Sequence, residues 1–287
     1  MRILVTIVVS ILCSATARPD APDYYSPASV LLFADHLFQE QDYLRAAYEY
    51  ERYLFLQGGE DPSHREILFR SAKAFQCGAA YERSLELFYS FLRSSKIGID
   101  QERGIYELGL TYFRMKQYAE SLELLQSHHS WSGTPEPIIL TAANLMMLGQ
   151  WQQAEALLAA PAIPQMEPLR KLAVEGSTMR RKSPAAAGIL SSIVPGLGKF
   201  YAEEYGDGMQ SLLFIGLFGT LSFLSFRSEG VESVRGWVYA SAGGILHIGN
   251  IYGSIVSARR YNRLREEALL QEVVEAIPPC SEFLLVP

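Results

Sequence analysis

Apolar and polar positions follow a pattern that repeats four times between the N-terminus and the middle of the chain. Each copy has an apolar stretch with helical spacing, a short break, an aromatic residue, a small residue three positions later and a large residue four positions after that. The four triplets are Tyr43, Ala46 and Tyr50; Tyr81, Ser84 and Phe88; Tyr118, Ser121 and Leu125; and Trp151, Ala154 and Leu158. The small residues lie 38, 37 and 33 positions apart, and this period predicts four pairs of helices.

A second set of positions completes each predicted pair. Twelve positions before the small residue lies another small one, and three positions further on lies a large one. These are Ala34, Ala72, Gly109 and Ala142, followed by Leu37, Phe75, Tyr112 and Leu145. Small residues let two helices approach closely where they cross, and large ones fill the adjacent grooves. The pattern over 18–160 resembles the tetratricopeptide repeat, whose period is about 34 residues. It predicts an all-α fold with a TPR-like α-solenoid of about four helix pairs, and an unrelated helical bundle is the alternative.

The resemblance also implies a binding groove. Proteins with this repeat usually bind ligands in the concave groove that the first helix of each pair lines. Carried over to this chain, the groove residues are Asp35, Phe38, Phe69, Lys73, Gln76, Tyr106, Leu110, Phe113, Arg114 and Met146. Aromatic side chains are common in this set and charges are few, which suits an apolar peptide or a helix of a partner protein. The competing interpretation is that some of these aromatic side chains pack between repeats.

Two long stretches without a charged residue follow the repeats. They are Met209–Phe226 and Trp237–Ala258. Both reach the length of about 18 residues that a transmembrane helix needs. The short polar loop Arg227–Gly236 between them predicts an antiparallel transmembrane helical hairpin, with a buried hairpin of a soluble protein as the alternative. The expected organisation is a linker with a capping helix at 161–185, a membrane module at 186–265, and an amphipathic helix with a tail at 266–287.

A glycine-rich motif precedes the first of these stretches. Its residues are Pro195, Gly196, Gly198 and Tyr201, followed by Gly208. It resembles small bacterial two-span membrane modules with the signature Pro-Gly-x-Gly-x-aromatic-Tyr, and the resemblance covers about 186–263, including a final Tyr-Asn stretch at 251–262. The resemblance implies no catalytic activity. His247 and Asn250 are further candidates, because polar residues within a membrane span usually serve a function.

The N-terminus predicts export from the cytoplasm. Met1–Ala17 combines an apolar run with the small residues Ala15 and Ala17, as in a secretory signal peptide that is cut before Arg18. An uncleaved anchor and a lipoprotein signal ending at Cys13 are the alternatives. Export makes this a protein of the bacterial cell envelope, anchored in the inner membrane, with its repeat domain in the periplasm.

The sequence leaves two options for the side of the membrane on which the C-terminus lies. Two crossings would return the arginine-rich segment 259–265 to the periplasm, against the tendency of basic residues to stay in the cytoplasm. A third, short crossing at 185–200 would resolve this conflict, and so would an uncleaved, inverted N-terminal anchor.

The charge of the repeat domain narrows the class of partner. The chain has 25 basic and 31 acidic residues, and the excess of acid lies in residues 1–178, which hold 15 basic and 21 acidic side chains. A negative repeat domain argues against nucleic acid as a partner.

Only Cys77 and Cys280 would remain after cleavage of the signal peptide, and because they lie in different modules we expect both to be unpaired.

The sequence has no pattern typical of an enzyme. Its acidic cluster at 203–207 has no neighbouring His or Cys, and Gly196-x-Gly198-Lys199 lacks the spacing and the hydroxyl of a phosphate-binding loop. We therefore expect a non-catalytic, membrane-tethered scaffold or assembly factor without cofactor, metal or nucleotide. Its expected partners are proteins, bound in the repeat groove, and membrane lipid. The alternative function is a transport or protein-insertion component with the repeats as its receptor domain.

Overall fold

A computed structural model describes residues 25–58, 63–94, 98–128, 131, 134–159 and 163–279. Every regular element within these ranges is a helix, so the expected all-α class is confirmed for this part of the chain. The α-helices are α1 Pro27–Gln39, α2 Tyr43–Gln57, α3 His64–Cys77, α4 Tyr81–Ser94, α5 Ile99–Arg114, α6 Tyr118–Ser127, α7 Glu136–Met147, α8 Trp151–Leu158, α9 Glu167–Thr178, α10 Pro184–Ile193, α11 Leu197–Tyr201, α12 Tyr205–Glu229 and α13 Val234–Glu275. A short 3₁₀ turn, Pro164–Met166, precedes α9. The predicted signal peptide, Met1–Ala17, and Cys280 lie outside the described residues.

The described residues form two compact units. The N-terminal unit contains the residues up to Asn144 together with Pro278 and Pro279, and the C-terminal unit is Leu145–Ile277. From α1 to α6, each helix packs against the next one in the chain. The division between the units falls within α7.

The aromatic residue of each repeated triplet begins the second helix of its pair. Tyr43, Tyr81, Tyr118 and Trp151 are the first residues of α2, α4, α6 and α8. The small residues lie in the interior: Ala34, Ala46, Ala72, Ser84, Ser121, Ala142 and Ala154 are all 0% exposed. The Ser84 hydroxyl donates to the Ala72 carbonyl at 2.9 Å, and the Ser121 hydroxyl donates to the Gly109 carbonyl at 2.7 Å. The second and third helix pairs thus have the same hydroxyl-to-carbonyl hydrogen bond between their two helices.

Close packing also explains the glycine at the third crossing. A Cβ added at Gly109 would lie 3.1 Å from Cδ2 of Leu125, which is itself 2% exposed. This distance is tighter than ordinary van der Waals contact, so a larger side chain would push α5 and α6 apart.

The turns inside the four pairs share one conformation. The turn residues Gln41, Ala79, Lys116 and Gly149 have φ values of 62°, 60°, 63° and 74°. In each turn the next amide donates to the carbonyl five positions back, at 2.8–2.9 Å. Those carbonyls belong to Leu37, Phe75, Tyr112 and Leu145. Three of the four turns therefore place a residue with a side chain in the left-handed region, which favours glycine.

The C-terminal unit is organised around the long helix α13. Helix α12 runs antiparallel to its first part: the Ser222 hydroxyl donates to the Gly236 carbonyl at 3.0 Å, and the rings of Phe226 and Trp237 lie 5.4 Å apart. The short helices α10 and α11 also pack against α13. Helix α13 continues for 42 residues without a break, through the region in which an amphipathic helix was expected.

One described helix, α12, has the length and hydropathy of a membrane span. It covers the first predicted span, Met209–Phe226. The second, Trp237–Ala258, lies within α13 and stays a prediction. Helix α10 has ten residues and rises about 15 Å, half of the hydrocarbon core. The chain then breaks before α11 begins at Leu197, so 185–200 is not one continuous spanning helix.

Candidate functional site

A buried ion pair joins the first helices of the second and third pairs. Nζ of Lys73, on α3, donates to the two carboxylate oxygens of Glu107, on α5, at 2.8 and 2.7 Å. Lys73 is 1% exposed and Glu107 is 3% exposed. Burial is the largest influence on the pKa of Lys73 and lowers it, although the Glu107 carboxylate acts in the opposite direction.

Two further polar side chains extend this pair. Nε2 of Gln76 donates to the Glu107 carboxylate at 3.0 Å and to the Thr111 hydroxyl at 2.8 Å, while its Oε1 accepts from Lys73 at 3.0 Å. The Thr111 hydroxyl donates to the Glu107 carbonyl at 2.7 Å. These four residues form a connected network that we call the α3–α5 polar cluster. Each side chain fixes the orientation of the next, so the cluster sets the register of the two helices.

A cavity of about 460 Å³ lies beside this cluster, in the N-terminal unit. Its lining combines aromatic, carboxylate and guanidinium groups: Phe69, Ile99, Glu102, Arg103, Tyr106, Glu107, Trp131, Thr134, Glu136 and Pro137. The Arg103 guanidinium lies 4.3 Å from the centre of the Phe69 ring, and the Phe69 ring packs against Phe91. An apolar side chain fits the aromatic walls, and the carboxylates can accept hydrogen bonds from a peptide. We call it the aromatic pocket.

Most of the predicted groove residues are buried. Those that are at most 8% exposed are Phe38, Phe69, Lys73, Gln76, Tyr106, Leu110, Phe113 and Met146. Met146 belongs to the C-terminal unit, and the others belong to the N-terminal unit. Phe69 and Tyr106 line the aromatic pocket. A groove that is open to a ligand would expose these side chains, and they are not exposed.

Packing accounts for two of the aromatic groove residues. The Phe38 ring meets Tyr43 at 5.0 Å and the Phe113 ring meets Tyr118 at 5.3 Å, both edge to face. In both cases the partner begins the following helix. For Phe38 and Phe113 the structure therefore supports packing within a helix pair rather than a role in binding.

The two remaining groove residues are partly exposed and have polar partners. The Asp35 carboxylate accepts from the Tyr50 hydroxyl at 2.6 Å and from Arg70 at 3.1 Å, an arrangement that links α1, α2 and α3. Burial raises the pKa of Tyr50, so its hydroxyl stays a donor. Arg114, at the end of α5, donates to the carbonyl of Pro278 at 3.3 Å.

One cysteine prediction is wrong. Cys77, the last residue of α3, is half-buried and disulfide-bonded, whereas an unpaired thiol was expected. The expectation rested on positions in the sequence, which do not determine the segments that meet in the folded chain. Pro278 in fact belongs to the N-terminal unit, far in sequence from the rest of it.

The glycine motif of the C-terminal unit is a close-packed turn. Gly196 has φ of 85°, and a Cβ added there would overlap the carbonyl of Gly208. A Cβ at Gly198 would overlap the carbonyl of Ala187, on α10. Pro195 lies beside this turn and is half-buried. Glycine is therefore required at these two positions because backbone approaches backbone.

The motif and the final Tyr-Asn stretch meet in space. The backbone of Lys182 donates to Asn262 Oδ1 at 2.8 Å, and Nδ2 of Asn262 donates back to the Lys182 carbonyl at 2.9 Å. Nζ of Lys182 donates to the Tyr201 carbonyl at 2.7 Å, and it lies 4.5 Å from the centre of the Tyr261 ring. The Tyr201 hydroxyl accepts from the Ser183 amide at 3.0 Å. Lys182 therefore holds the two stretches together.

Two hydroxyls make a second, buried connection. The Ser191 and Ser254 hydroxyls lie 2.6 Å apart, and Ser191 also accepts from the Gly198 amide at 2.9 Å. Nearby, the Ser257 hydroxyl donates to the Glu204 carboxylate at 2.5 Å. Serines within a long apolar region give no pattern in sequence, so these contacts were not predicted.

The two polar candidates of the second stretch have different surroundings. Nε2 of His247 lies 3.3 Å from the carbonyl oxygen of Ser192. Asn250 is 5% exposed, and its amide nitrogen and oxygen both lack a hydrogen-bond partner among the described residues. A buried amide without partners is costly, and this singles out Asn250 as a functional candidate.

The described residues contain no group of three or more His, Cys, Asp or Glu side chains that could hold a metal ion. Comparison with known proteins adds no family assignment: no protein-family profile matches the chain, and no significant match was found among curated proteins or solved structures.

Proposed function

We propose that this protein is a non-catalytic, membrane-tethered scaffold or assembly factor. Its N-terminal unit resembles tetratricopeptide repeats in the spacing of small and large residues, and it would bind segments of other proteins. Support comes from consecutive helix packing, from buried small residues at the crossings and from the aromatic pocket. The aromatic pocket carries the proposal, because its size and aromatic lining suit an apolar side chain of a peptide.

We propose further that the C-terminal unit anchors the chain in a bacterial inner membrane. Helix α12 has the composition of a membrane span, and its outward side chains are apolar and exposed: Leu213, Phe214, Leu217, Phe223 and Leu224 are 50–64% exposed. On α13, Ile245 and Ile248 are at least 70% exposed. An exposed apolar surface of this kind favours contact with lipid over contact with water. The signal-peptide pattern in the sequence supports export, which would put the N-terminal unit in the periplasm.

Site-specific photo-crosslinking in cells tests protein binding. A photoreactive amino acid at Ile99, which lines the aromatic pocket and is 70% exposed, is expected to capture one or a few proteins reproducibly. The matched control is Phe55, an equally apolar residue that is 85% exposed on α2 and is not among the residues of the pocket. Equal capture at both positions, or none at Ile99, would contradict a binding role for the pocket.

Reporter fusions test the orientation. Alkaline phosphatase joined after residue 178 is expected to be active, because this enzyme folds only in an oxidising compartment outside the cytoplasm. Joined after residue 287, it is expected to be inactive if the segment around 185–200 also crosses the membrane. Activity at both positions would mean that the chain crosses an even number of times. Inactivity at 178 would contradict export of the N-terminal unit.

Asn250 favours a second candidate function. A buried amide without partners within an apolar unit can serve a transport or protein-insertion component, with the N-terminal unit as receptor. Purification from membranes separates the two functions. Stable co-purifying proteins favour the scaffold, whereas a shift of thermal stability that depends on a solute favours transport.

A further inference from the structure

One exposed face of α13 changes from apolar to basic along its length. Side chains spaced three and four positions apart share a face of a helix. The exposed residues with this spacing are Ile245, Ile248, Tyr252, Val256, Arg259 and Arg263. The first four have apolar or aromatic side chains, and the last two are cationic. We call these six residues the α13 stripe, and its composition suits a molecule with an apolar part and an anionic end.

The charge-free part of α13 has the length of a membrane span. It covers 237–258, and at 1.5 Å per residue these 22 residues rise about 33 Å, close to the hydrocarbon thickness of about 30 Å. Trp237, at its start, is 59% exposed, and tryptophan is enriched at the interface between membrane and water. Arg259 is the first charged residue after this part. In a membrane it therefore reaches the opposite interface, where the lipid headgroups lie.

Helices α10 and α11 return to the end of the C-terminal unit at which they start. The Ser192 carbonyl, near the end of α10, lies 3.3 Å from Nε2 of His247, which precedes Arg259 by 12 residues or about 18 Å along α13. The chain then turns back. At the end of α11 the Tyr201 hydroxyl accepts from the amide of Ser183, the residue just before α10. The chain thus enters and leaves the apolar part of the unit at one end.

Two basic segments meet at that end. They are 180–182 and 259–265, and the two hydrogen bonds between Lys182 and Asn262 join them. Together they hold seven basic residues, whereas the loop 227–235, at the opposite end of α12 and α13, holds two. The apolar surface of the unit is therefore bordered by cations mainly on one side.

The two arginines of the α13 stripe have little counter-charge. Arg259 has no ion-pair partner among the described residues, although five of the other basic residues in these two segments do. Nε of Arg263 lies 3.8 Å from Glu267, which is too long for a hydrogen bond, and its side chain is 70% exposed. Like charges four positions apart on a helix repel each other. An anion bound between the two guanidinium groups removes this repulsion.

We propose that Arg259 and Arg263 bind the phosphate of an anionic phospholipid, and that its acyl chains lie along Ile248, Tyr252 and Val256. Guanidinium groups bind phosphate oxygens through pairs of parallel N–H donors. A headgroup without a cation of its own, such as glycerol phosphate, is favoured over a zwitterionic one, whose cation would face the two arginines. The site depends on the membrane anchoring proposed above and adds to it the class of lipid.

Native mass spectrometry of the full-length protein in detergent tests the site. Dioleoyl phosphatidylglycerol is expected to bind at least tenfold more tightly than dioleoyl phosphatidylcholine, which has the same acyl chains. In R259Q/R263Q, the affinity for phosphatidylglycerol should fall roughly tenfold and that for phosphatidylcholine should stay the same, because only the charges near the headgroup are removed. Equal affinities of the wild-type protein for the two lipids would overturn the proposal, and so would an equal loss of both lipids in the variant.

The matched control is R45Q/R93Q, which removes two positive charges from exposed positions of the N-terminal unit. It should keep the preference for phosphatidylglycerol, and a loss equal to that of R259Q/R263Q would overturn the site because net charge alone would explain it. Carbonate washing of membranes separates this proposal from the anchoring. Release of the wild-type chain would overturn both, whereas a retained chain that binds the two lipids equally would overturn the lipid site alone.

Discussion

Replacement of Lys73 by methionine is expected to lower the free energy of unfolding of the N-terminal unit by about 3–5 kcal/mol. Methionine has a similar length, so the cost does not come from a cavity. It comes from the Glu107 carboxylate, which is 3% exposed and would be left without its counter-charge. Hydrogen exchange of α3 and α5 in the full-length protein, followed with urea concentration, measures the change.

The double variant K73M/E107L separates charge from packing. It removes both charges and keeps the bulk of the side chains, so most of the lost stability should return. If both variants are equally unstable, the cost lies in shape rather than in the unpaired carboxylate. If Lys73→Met alone changes nothing, the pair is not buried as described.

A methyl group at Gly198 is expected to destabilise the C-terminal unit by roughly 3 kcal/mol or more. The new Cβ would overlap the carbonyl of Ala187, and a backbone carbonyl cannot rotate away as a flexible side chain can. The displacement would also separate the Gly198 amide from the Ser191 hydroxyl. The thermal midpoint in detergent, followed by tryptophan fluorescence, should fall by several degrees.

Gly206 provides the matched control for this substitution. It lies in the first turn of α12, and a Cβ built there meets nothing within 4 Å. Gly206→Ala should therefore leave the midpoint within about 1 °C, since surface substitutions rarely change stability by more than about 0.5 kcal/mol. Equal effects of the two alanines would mean that the motif acts through backbone flexibility, not through close contact.

The local order of helices could be predicted from the sequence because it depends on short-range spacing. The aromatic residues Tyr43, Tyr81, Tyr118 and Trp151 indicate where helices begin, and all four do begin them. Likewise, the charge-free stretch Met209–Phe226 lies inside α12. Spacing of three and four positions is a property of a single helix, so a single sequence suffices to read it.

The polar contacts between elements could not be predicted in the same way. Lys73 and Glu107 are distant in sequence, and nothing in either local pattern marks one as the partner of the other. The same holds for Lys182 and Asn262, and for Ser191 and Ser254. Such pairs depend on which faces meet after packing. One signal was available for Lys73: its partner lies one repeat period away.

The groove was the least predictable part of the candidate site. Repeat position indicates which residues face a groove, but it does not tell whether another segment covers them. Burial of Gln76 and Leu110 is a property of the whole fold. The disulfide at Cys77 was missed for a related reason, since a covalent partner depends on which segments meet in the fold.

The left-handed turns have a consequence for how the helix pairs open. Gln41, Ala79 and Lys116 each adopt a backbone conformation that costs about 1 kcal/mol more for them than for glycine. Local preference and tertiary packing are therefore in conflict at each of these connections, a form of frustration that the packed interfaces overcome. Where packing between the two helices of a pair weakens, relaxation of the turn to an unstrained conformation favours their separation. Local opening of the N-terminal unit should therefore begin at these three turns, one in each of its first three helix pairs.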